Sequence, residues 1–407
     1  MRRLHRWHRR TRWWEADTPA KRWRHVRSLV KTPLRAAREV IFATRRYGRA
    51  LREEHGIPLA AQAAVQWMLR MRFGLPPDSY YLLELHRPER RRLAGEWCSL
   101  QACIALFVHL DRLTARDDLA AVCDKRRFAE RCLAHGLPVV PMLAEAAGGE
   151  VTGHAWSGTG PLPQCDLFTK PADLWSGQGA LAWTHVGVDL WQGSDGRELD
   201  QEGLLGWLRE ASKDRPHVLQ ERIANHPALA SLSRGGLCTV RFVTMRLPEG
   251  GIGPLLGVLK MPSGDQVVDN FAQGGLAAGI DEVTGRLGSA VREDARYAVR
   301  RYAEHPGTGA RIEGRVVPFW KELQALVLRA HEAFPYLVFC GFDVALREDG
   351  PVLIEGNDLP GLDLIQMPHG RPIGTTRFAE VYDFHMRRAL AAGPARRVTP
   401  EPPTDQR

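Results

Sequence analysis

The chain has 407 residues, of which 44% are hydrophobic and 25% charged, and its formal net charge at pH 7 is +9. A chain of this length can bury a substantial core and form two or three domains. No apolar run approaches the roughly 20 residues of a membrane-spanning helix, and no apolar segment of a secretory signal follows the N-terminal arginines. These features argue against an integral membrane protein or a secreted one, so we expect a cytoplasmic location.

The cysteines favour the same compartment. They number seven, lie far apart along the chain, and include no Cys-x-x-Cys pair. An odd number of scattered cysteines is typical of reduced thiols rather than of a disulfide framework.

The positive charge is concentrated at the N-terminus. Residues 1–54 hold 17 Lys and Arg against 5 Asp and Glu, a net charge of +12, which leaves about −3 for the rest of a chain whose total is +9. Residues 1–30 form a basic arm rich in Arg and Trp. Three interpretations remain open: a solvated arm, a peripheral contact with anionic lipids at the inner face of the cell membrane, or a nucleic-acid contact. The last is the least favoured, because the body of the protein is not basic.

The distribution of charged, apolar and proline residues divides the chain into four parts. After the arm, residues 31–115 show apolar residues at helical spacing, such as Val65, Met68 and Leu69, and no strand pattern. Residues 116–390 form the main domain. The tail, 391–407, is rich in proline and is predicted to be disordered.

Strands and helices are mixed in the main domain. Asp124 is predicted to cap a helix that runs to about residue 135, and Gly136 to end it. Strands are predicted at 166–170, 217–221, 239–245, 253–261 and in a closing hairpin, and helices at 201–212, 289–303 and 318–333. This order predicts an α+β fold of mostly antiparallel sheets with helices against one face.

The closing hairpin carries the most informative polar residues. Two apolar runs surround a polar break centred on Asp349, which sets Asp343 opposite Glu355 and places Asn357 on the same face as Glu355. Facing carboxylates repel each other unless a cation lies between them, and Mg²⁺ with nucleotide phosphates suits such oxygen ligands. The alternative is a surface hairpin whose acidic residues are solvated.

Cationic and polar residues on other strands suggest a phosphate site. Lys170 ends a strand beside a Gly-bearing loop, which suits phosphate but also describes an ordinary turn. Arg241 and Lys260 each lie within an apolar strand and need an anionic partner, supplied either by a structural salt bridge or by a phosphate. Asn270 lies in a polar loop whose paired glycines would let the backbone approach a ligand, although a simple turn explains it equally well.

The order of these segments resembles the ATP-grasp superfamily, in particular its sugar-transfer-associated branch, from about residue 116 to 385. The matching motifs are Asp124-Lys125-x-x-Phe128 with Gly136-Leu-Pro-Val, Leu167-Phe-Thr-Lys170-Pro, Gln220-Glu221, Thr239-Val-Arg241, Asp269-Asn270-Phe271 through Gly275, Gly341-Phe-Asp343, and Glu355-Gly-Asn357. The resemblance implies an ATP-grasp fold, in which two α+β lobes clasp ATP, here preceded by a helical N-terminal region. Many ATP-grasp ligases have an α/β domain in that N-terminal position, so substrate identity does not carry over.

The resemblance also implies roles for single residues. Lys125 and Lys170 look like the lysines that contact ATP phosphates, and Gln220 and Glu221 like the segment that binds adenine or ribose. The residues implied for catalysis are Arg241, which looks like the arginine that stabilises the transferring phosphoryl group, together with Lys260 and Asn270. The implied Mg²⁺ ligands are Asp343, Glu355 and Asn357, with Glu355 bridging two ions.

The function implied is that of an ATP- and Mg²⁺-dependent ligase. ATP would phosphorylate a small-molecule carboxylate, and an amine or sugar acceptor would attack the acyl phosphate, with ADP and phosphate released. The branch name places the reaction in the biosynthesis of a cell-surface polysaccharide or glycoconjugate. The alternative is a non-catalytic ATP-binding protein that docks on a membrane-associated assembly through its basic arm.

Overall fold

A computed structural model describes residues 18–110, 116–174, 178–264 and 271–391 of the chain. Most of the predicted basic arm and the tail after residue 391 lie outside these ranges, so the predictions made for them stay predictions. Within the described ranges, no helix combines the length and the apolar character needed to cross a membrane.

The described residues contain α-helices of very different lengths. They are α1 Pro19–His55, α2 Leu59–Phe73, α3 Ser79–Leu82, α4 Pro88–Arg92, α5 Leu100–Leu110, α6 Arg116–Cys123, α7 Lys125–Ala134, α8 Gln201–Ala211, α9 Pro227–Ala230, α10 Trp320–Glu332, α11 Leu362–His369 and α12 Phe378–Ala391. The helical character expected before residue 116 is confirmed by α1 to α5, although α1 already begins inside the segment assigned to the arm. Asp124 caps α7 as expected, since its side chain accepts from the backbone N–H of Arg126 at 2.9 Å.

The strands form two sheets of seven strands each, and every pair of neighbouring strands is antiparallel. The first sheet contains β1 Met142–Ala147, β2 Glu150–Gly153, β3 Leu167–Pro171, β4 Leu181–Gly187, β5 Leu190–Gly193, β6 Glu198–Asp200 and β7 His217–Glu221, in the order β2-β1-β7-β3-β4-β5-β6. The second contains β8 Thr239–Arg246, β9 Ile252–Met261, β10 Leu276–Ile280, β11 Leu287–Asp294, β12 Ala298–Tyr302, β13 Phe339–Arg347 and β14 Gly350–Asn357, in the order β12-β11-β10-β9-β8-β13-β14. The α+β prediction is therefore confirmed.

Helices cover both faces of the second sheet, not one face as expected. On one side, Phe128 of α7 and Leu323 of α10 share a core with Phe242 of β8. On the other, Phe107 of α5 and Tyr382 of α12 pack with the next strand residue, Val243. A strand covered on both faces is apolar at nearly every position, and β13 is buried at eight consecutive residues.

The helix predicted at residues 289–303 is wrong, because this stretch forms most of β11 and β12. Ala290 and Val291 are buried against neighbouring strands, and Arg292 pairs with Arg300 across the ladder. β12 is an edge strand, and edge strands often carry charged residues that prevent further pairing. That charge pattern also resembles the solvated face of a helix, which explains the error.

A close backbone contact fixes the hairpin of β13 and β14 against the helices. A Cβ atom on Gly356 would lie 2.6 Å from Cγ2 of Val122 and 2.9 Å from Cε2 of Phe128. No real Cβ tolerates such distances, so only glycine lets β14 approach α6 and α7 here. The neighbours of Gly356 in the chain are Glu355 and Asn357, whose positions are therefore set by this packing.

Candidate functional site

A cavity of about 480 Å³ opens between the two sheets. It is lined by nine of the ten residues singled out from the sequence: Lys125, Lys170, Gln220, Glu221, Arg241, Lys260, Asp343, Glu355 and Asn357. The tenth, Asn270, lies outside the described residues, while the next residue, Phe271, does line the cavity. Residues more than 200 positions apart in the sequence thus meet at one place.

The hairpin at one side of the cavity has the register expected from the sequence. Asp343 lies directly opposite Glu355, and Asn357 lies opposite Gly341. The turn is one residue shorter than a turn centred on Asp349, because Arg347 pairs with Gly350, and the unpaired Ile354 on β14 restores the predicted pairing of Asp343. The side-chain amide of Asn357 also donates to the carbonyl oxygen of Gly341 at 3.4 Å. Two carboxylates and one amide therefore face the same cavity.

Asp343 is the centre of a buried ionic cluster. Arg241, its cross-strand neighbour on β8, binds both carboxylate oxygens, with Nη2 at 2.9 Å from Oδ2. Lys260 donates to the same Oδ2 from 3.1 Å. Burial alone would raise the pKa of the Asp343 carboxyl, but the attraction of Arg241 and Lys260 outweighs it and holds that pKa well below its usual range. Arg241 and Lys260 were each predicted to need an anionic partner. In the part of the chain that the structure describes, both bind the carboxylate of Asp343.

A second group of charges surrounds Glu355. The ammonium of Lys125 lies 3.7 Å from Oε2 of Glu355 and donates to the carbonyl oxygen of Leu174 at 2.5 Å. Lys170 lines the cavity nearby, where burial lowers its pKa to about 8, with the charge of Glu355 opposing that shift and the charge of Lys125 adding to it. A lysine ammonium that is poorly hydrated in this way gains strongly from a new anion.

Apolar side chains complete the wall, and sequence reasoning did not assign them. Val140, Ile223, Leu237 and Ile354 belong to one small hydrophobic cluster, and all four reach the cavity. Phe168, on β3 beside Lys170, lines it as well. These residues come from separate loops and strands, so no local pattern in the sequence could have grouped them.

Asp363 is a further cavity residue that sequence reasoning missed. It lies in the first turn of α11, and burial raises the pKa of its carboxyl, while its own backbone N–H and that of Leu364 partly offset the shift. The position of this Asp just after Pro360 and Gly361 was the available signal, since acidic residues favour the first turn of a helix.

The oxygen donors at this hairpin fit Mg²⁺ chemically. Mg²⁺ in nucleotide sites is commonly held by one or two carboxylates together with substrate phosphates, and it prefers hard oxygen ligands. Asp343, Glu355 and Asn357 supply two carboxylates and an amide oxygen on one cavity wall. Among the residues that the structure describes, no group of three or more His, Cys, Asp and Glu could hold a metal ion, so a metal here would need the phosphates as additional ligands.

A profile of the sugar-transfer associated ATP-grasp family matches residues 109–379, well over half of the 407 residues. The chain belongs to this ATP-grasp family. The match includes all ten residues singled out from the sequence, and it confirms the resemblance drawn from the order of the motifs. The fold of this ATP-grasp protein is likewise confirmed as two lobes preceded by a helical region.

Several solved structures are similar to this chain at low sequence identity and with low TM-scores. D-alanyl-alanine synthetase A from Vibrio cholerae has 12% identity and a TM-score of 0.40, with 68% of each chain covered. D-alanine–D-alanine ligase from Bacillus anthracis has 13% identity and a TM-score of 0.37, with 69% of this chain and 71% of that chain covered. The ADP complex of an N5-carboxyaminoimidazole ribonucleotide synthetase has 9% identity and a TM-score of 0.35, with 59% of this chain but only 45% of that chain covered. The chain matches no curated protein.

Proposed function

We propose that this ATP-grasp protein is an ADP-forming ligase that joins a carboxylate to an amine, or to another nucleophile, through an acyl phosphate. The observation that carries the proposal is the convergence of four cationic side chains, Lys125, Lys170, Arg241 and Lys260, with the acidic hairpin in one cavity between the lobes. Phosphoryl transfer requires positioning and charge neutralisation more than a protein nucleophile. This cavity is rich in the required charges.

The nucleotide is proposed to lie between the two sheets. Lys125 and Lys170 would bind its phosphates, and Gln220 and Glu221 would bind adenine or ribose. The apolar wall around Ile354 suits a purine ring, because such a ring offers faces that prefer an apolar environment. Glu355, Asn357 and Asp343 would hold Mg²⁺, which neutralises phosphate charge when it is bound.

In the proposed reaction, a carboxylate oxygen of the substrate attacks the γ-phosphorus of ATP, and the bond to the bridging oxygen of ADP breaks. The amine then attacks the acyl carbon, phosphate leaves with the carboxylate oxygen, and the amine releases its proton. Arg241 and Lys260 would stabilise the charge on the transferred group. Asp343 holds both cations at fixed positions, which lowers the cost of orienting them during the transfer. Asn270, which lies outside the described residues, stays a proposed catalytic residue.

Lys170 gives this site a pH dependence that can be measured. Its pKa of about 8 should rise when phosphate binds, so ATP binding near pH 8 should take up protons. Between pH 8 and pH 9 the dissociation constant should increase about fivefold. Calorimetry in buffers of different ionisation enthalpy would measure both quantities. Lys170→Arg is the matched control, because a guanidinium stays charged and should remove the proton uptake; uptake that persists in this variant would assign the effect to another group.

The reaction class can be tested before either substrate is known. Purified protein would be incubated with ATP, Mg²⁺, hydroxylamine and pools of amino acids, keto acids or sugar acids, and both ADP and hydroxamate would be measured. Hydroxylamine intercepts an acyl phosphate whatever the natural nucleophile is. ADP and hydroxamate that depend on one pool would support the ligase and identify the class of carboxylate. Tight ATP binding without hydroxamate from any pool would favour either a macromolecular substrate absent from the pools or the non-catalytic ATP-binding protein.

We also propose that the ligase acts in the synthesis of a cell-surface polysaccharide or glycoconjugate, in the cytoplasm or at the inner face of the membrane. The description of the family as sugar-transfer associated supports this setting. Deleting the gene and comparing the composition of surface saccharides would test it. A saccharide of unchanged composition would remove the support for this setting while leaving the ligase chemistry untouched.

A further inference from the structure

Helix α2 is packed with its polar side inward. Gln62 and Gln66 are completely buried, and each forms a hydrogen bond with the hydroxyl group of Tyr81, at 2.9 and 3.0 Å respectively. Gln62 also donates to the carbonyl oxygen of Gly48 on α1 at 3.0 Å. The contact between α1 and α2 is therefore built partly from amides, although α2 offers many apolar residues that could have been buried instead.

Those apolar residues point away from the protein. Trp67, Met68 and Met71 are between 36% and 46% exposed, and Ala60 and Ala64 are exposed on the same helix. Positions 60, 64, 67, 68 and 71 recur at the spacing of one helical face. An amphipathic helix of a water-soluble protein normally buries such a face, so its exposure here requires an explanation.

Helix α1 adds exposed apolar residues next to α2. Leu34, Ile41 and Phe42 are between 51% and 74% exposed, while Ala36 and Val40 on the same helix are buried. Leu34 and Ile41 are seven residues apart, a spacing that places them on one side of a helix two turns apart. We name the exposed sides of α1 and α2 the outer face. Its large apolar residues include Leu34, Ile41, Phe42, Trp67, Met68 and Met71.

The outer face is also strongly basic. Its exposed arginines on α1 are Arg35, Arg38, Arg45, Arg46, Arg49 and Arg52. Between residues 32 and 55 the acidic residues are Glu39, Glu53 and Glu54. Glu39 already pairs with Arg35 at 2.8 Å and with Arg70 at 3.2 Å, and Glu53 pairs with Arg296 at 2.5 Å. Helix α2 contains no acidic residue at all. Most of this positive charge is therefore not neutralised within the segment.

We propose that the outer face of α1 and α2 docks on an anionic lipid surface. Helices that lie in a membrane interface combine arginine or lysine with tryptophan and aliphatic side chains, since the cations bind head groups while the apolar groups enter the acyl boundary. A nucleic acid would bind the arginines but leave Leu34, Ile41 and Phe42 in water. A second copy of this chain would place arginines against arginines, which repel each other. An anionic lipid surface accounts for both the arginines and the exposed apolar side chains of the outer face.

This proposal differs from a contact through residues 1–30, and the two can be separated. The full chain would be sedimented with vesicles of phosphatidylcholine, alone or mixed with phosphatidylglycerol. The variants are Ile41→Ser with Phe42→Ser on α1, and Trp67→Ser with Met71→Ser on α2. The matched control is Val188→Ser with Val283→Ser, which removes two exposed apolar residues elsewhere. Circular dichroism and the thermal midpoint would show that each variant remains folded.

We expect wild-type protein to bind the mixed vesicles and to be released by salt, because screening weakens the arginine contacts. Each variant on the outer face should lower the partition coefficient about tenfold or more, and the control should stay within about twofold. A variant lacking residues 2–17 should still bind the mixed vesicles, and the outer-face substitutions should still weaken that binding. The proposal is overturned if wild-type protein does not bind mixed vesicles, or if the outer-face variants bind as wild type does.

Discussion

Replacing Glu355 with alanine should reduce ATP-dependent ADP formation by about 10³-fold or more. Glu355 faces Asp343 across the hairpin and lies 3.7 Å from Lys125, so its carboxylate connects the proposed metal position with a proposed phosphate lysine. Losing a carboxylate that positions a metal against a transferring phosphoryl group removes several kcal/mol of transition-state stabilisation. The measurement is the steady-state rate of ADP release at saturating ATP, with the thermal midpoint recorded to show that the variant is folded.

The matched control for this experiment lies on the same hairpin. Glu348 is an exposed acid in the turn between β13 and β14, outside the cavity. Glu348→Ala removes the same chemical group from the same hairpin and should leave the rate unchanged. Near-normal turnover by Glu355→Ala would reject the assignment of Glu355 to the metal and phosphate site.

Replacing Asp343 with alanine should destabilise the protein as well as inactivate it. The side chains of Asp343, Arg241 and Lys260 are each no more than 11% exposed, so the substitution leaves two buried cations side by side without their anion. Removing one partner of a buried ion pair costs about 3–5 kcal/mol of folding free energy. Denaturant unfolding of Asp343→Ala and of the exposed control Asp349→Ala measures the difference. A loss below about 1 kcal/mol for Asp343→Ala would contradict the role given to this carboxylate.

The same cluster predicts how stability depends on pH. The pKa of Asp343 is lowered in the folded protein, so its contribution is complete above the ordinary value of 3.8 and is lost as the pH falls through the folded-state pKa. Wild-type protein should therefore lose more stability than Asp343→Ala as the pH is lowered below about 4.

Added ATP should restore part of the stability of the variant near neutral pH, because phosphate can replace the missing anion beside Arg241 and Lys260.

The hairpin could be predicted from sequence because its geometry is local. The two apolar runs and the polar break between them are enough to predict two antiparallel strands that bring Asp343 close to Glu355. Their exact pairing does not follow from the turn, because a two-residue turn with a regular ladder would set Asp343 opposite Ile354, and the extra residue at Ile354 shifts the register to Glu355. The cap at Asp124 is local in the same sense. The expectation that Arg241 needs an anion followed from the cost of burying a charge. That its partner would be Asp343, 102 residues later, could not be read from the strand itself.

The parts that could not be predicted depend on tertiary packing. The charged edge strand β12 has the composition of a solvated helix, and only its pairing with β11 distinguishes the two. The apolar wall of the cavity gathers Val140, Leu237 and Ile354 from distant segments. The sequence pattern of α2 likewise predicts that its apolar side is buried and its polar side is solvated. The structure shows the reverse arrangement, which depends on how α2 packs against its neighbours.

Transfer of a carboxylate oxygen to phosphate is the most direct test of the proposed reaction. Once hydroxylamine trapping has identified a carboxylate, the reaction would be run with that substrate labelled with ¹⁸O in its carboxyl group, and the released phosphate analysed by mass spectrometry. If the carboxylate attacks the γ-phosphorus, one labelled oxygen must leave with each phosphate, and we predict one ¹⁸O per phosphate formed. Phosphate that carries no label from the carboxylate would contradict an acyl-phosphate ligase and show that ATP is cleaved by another nucleophile.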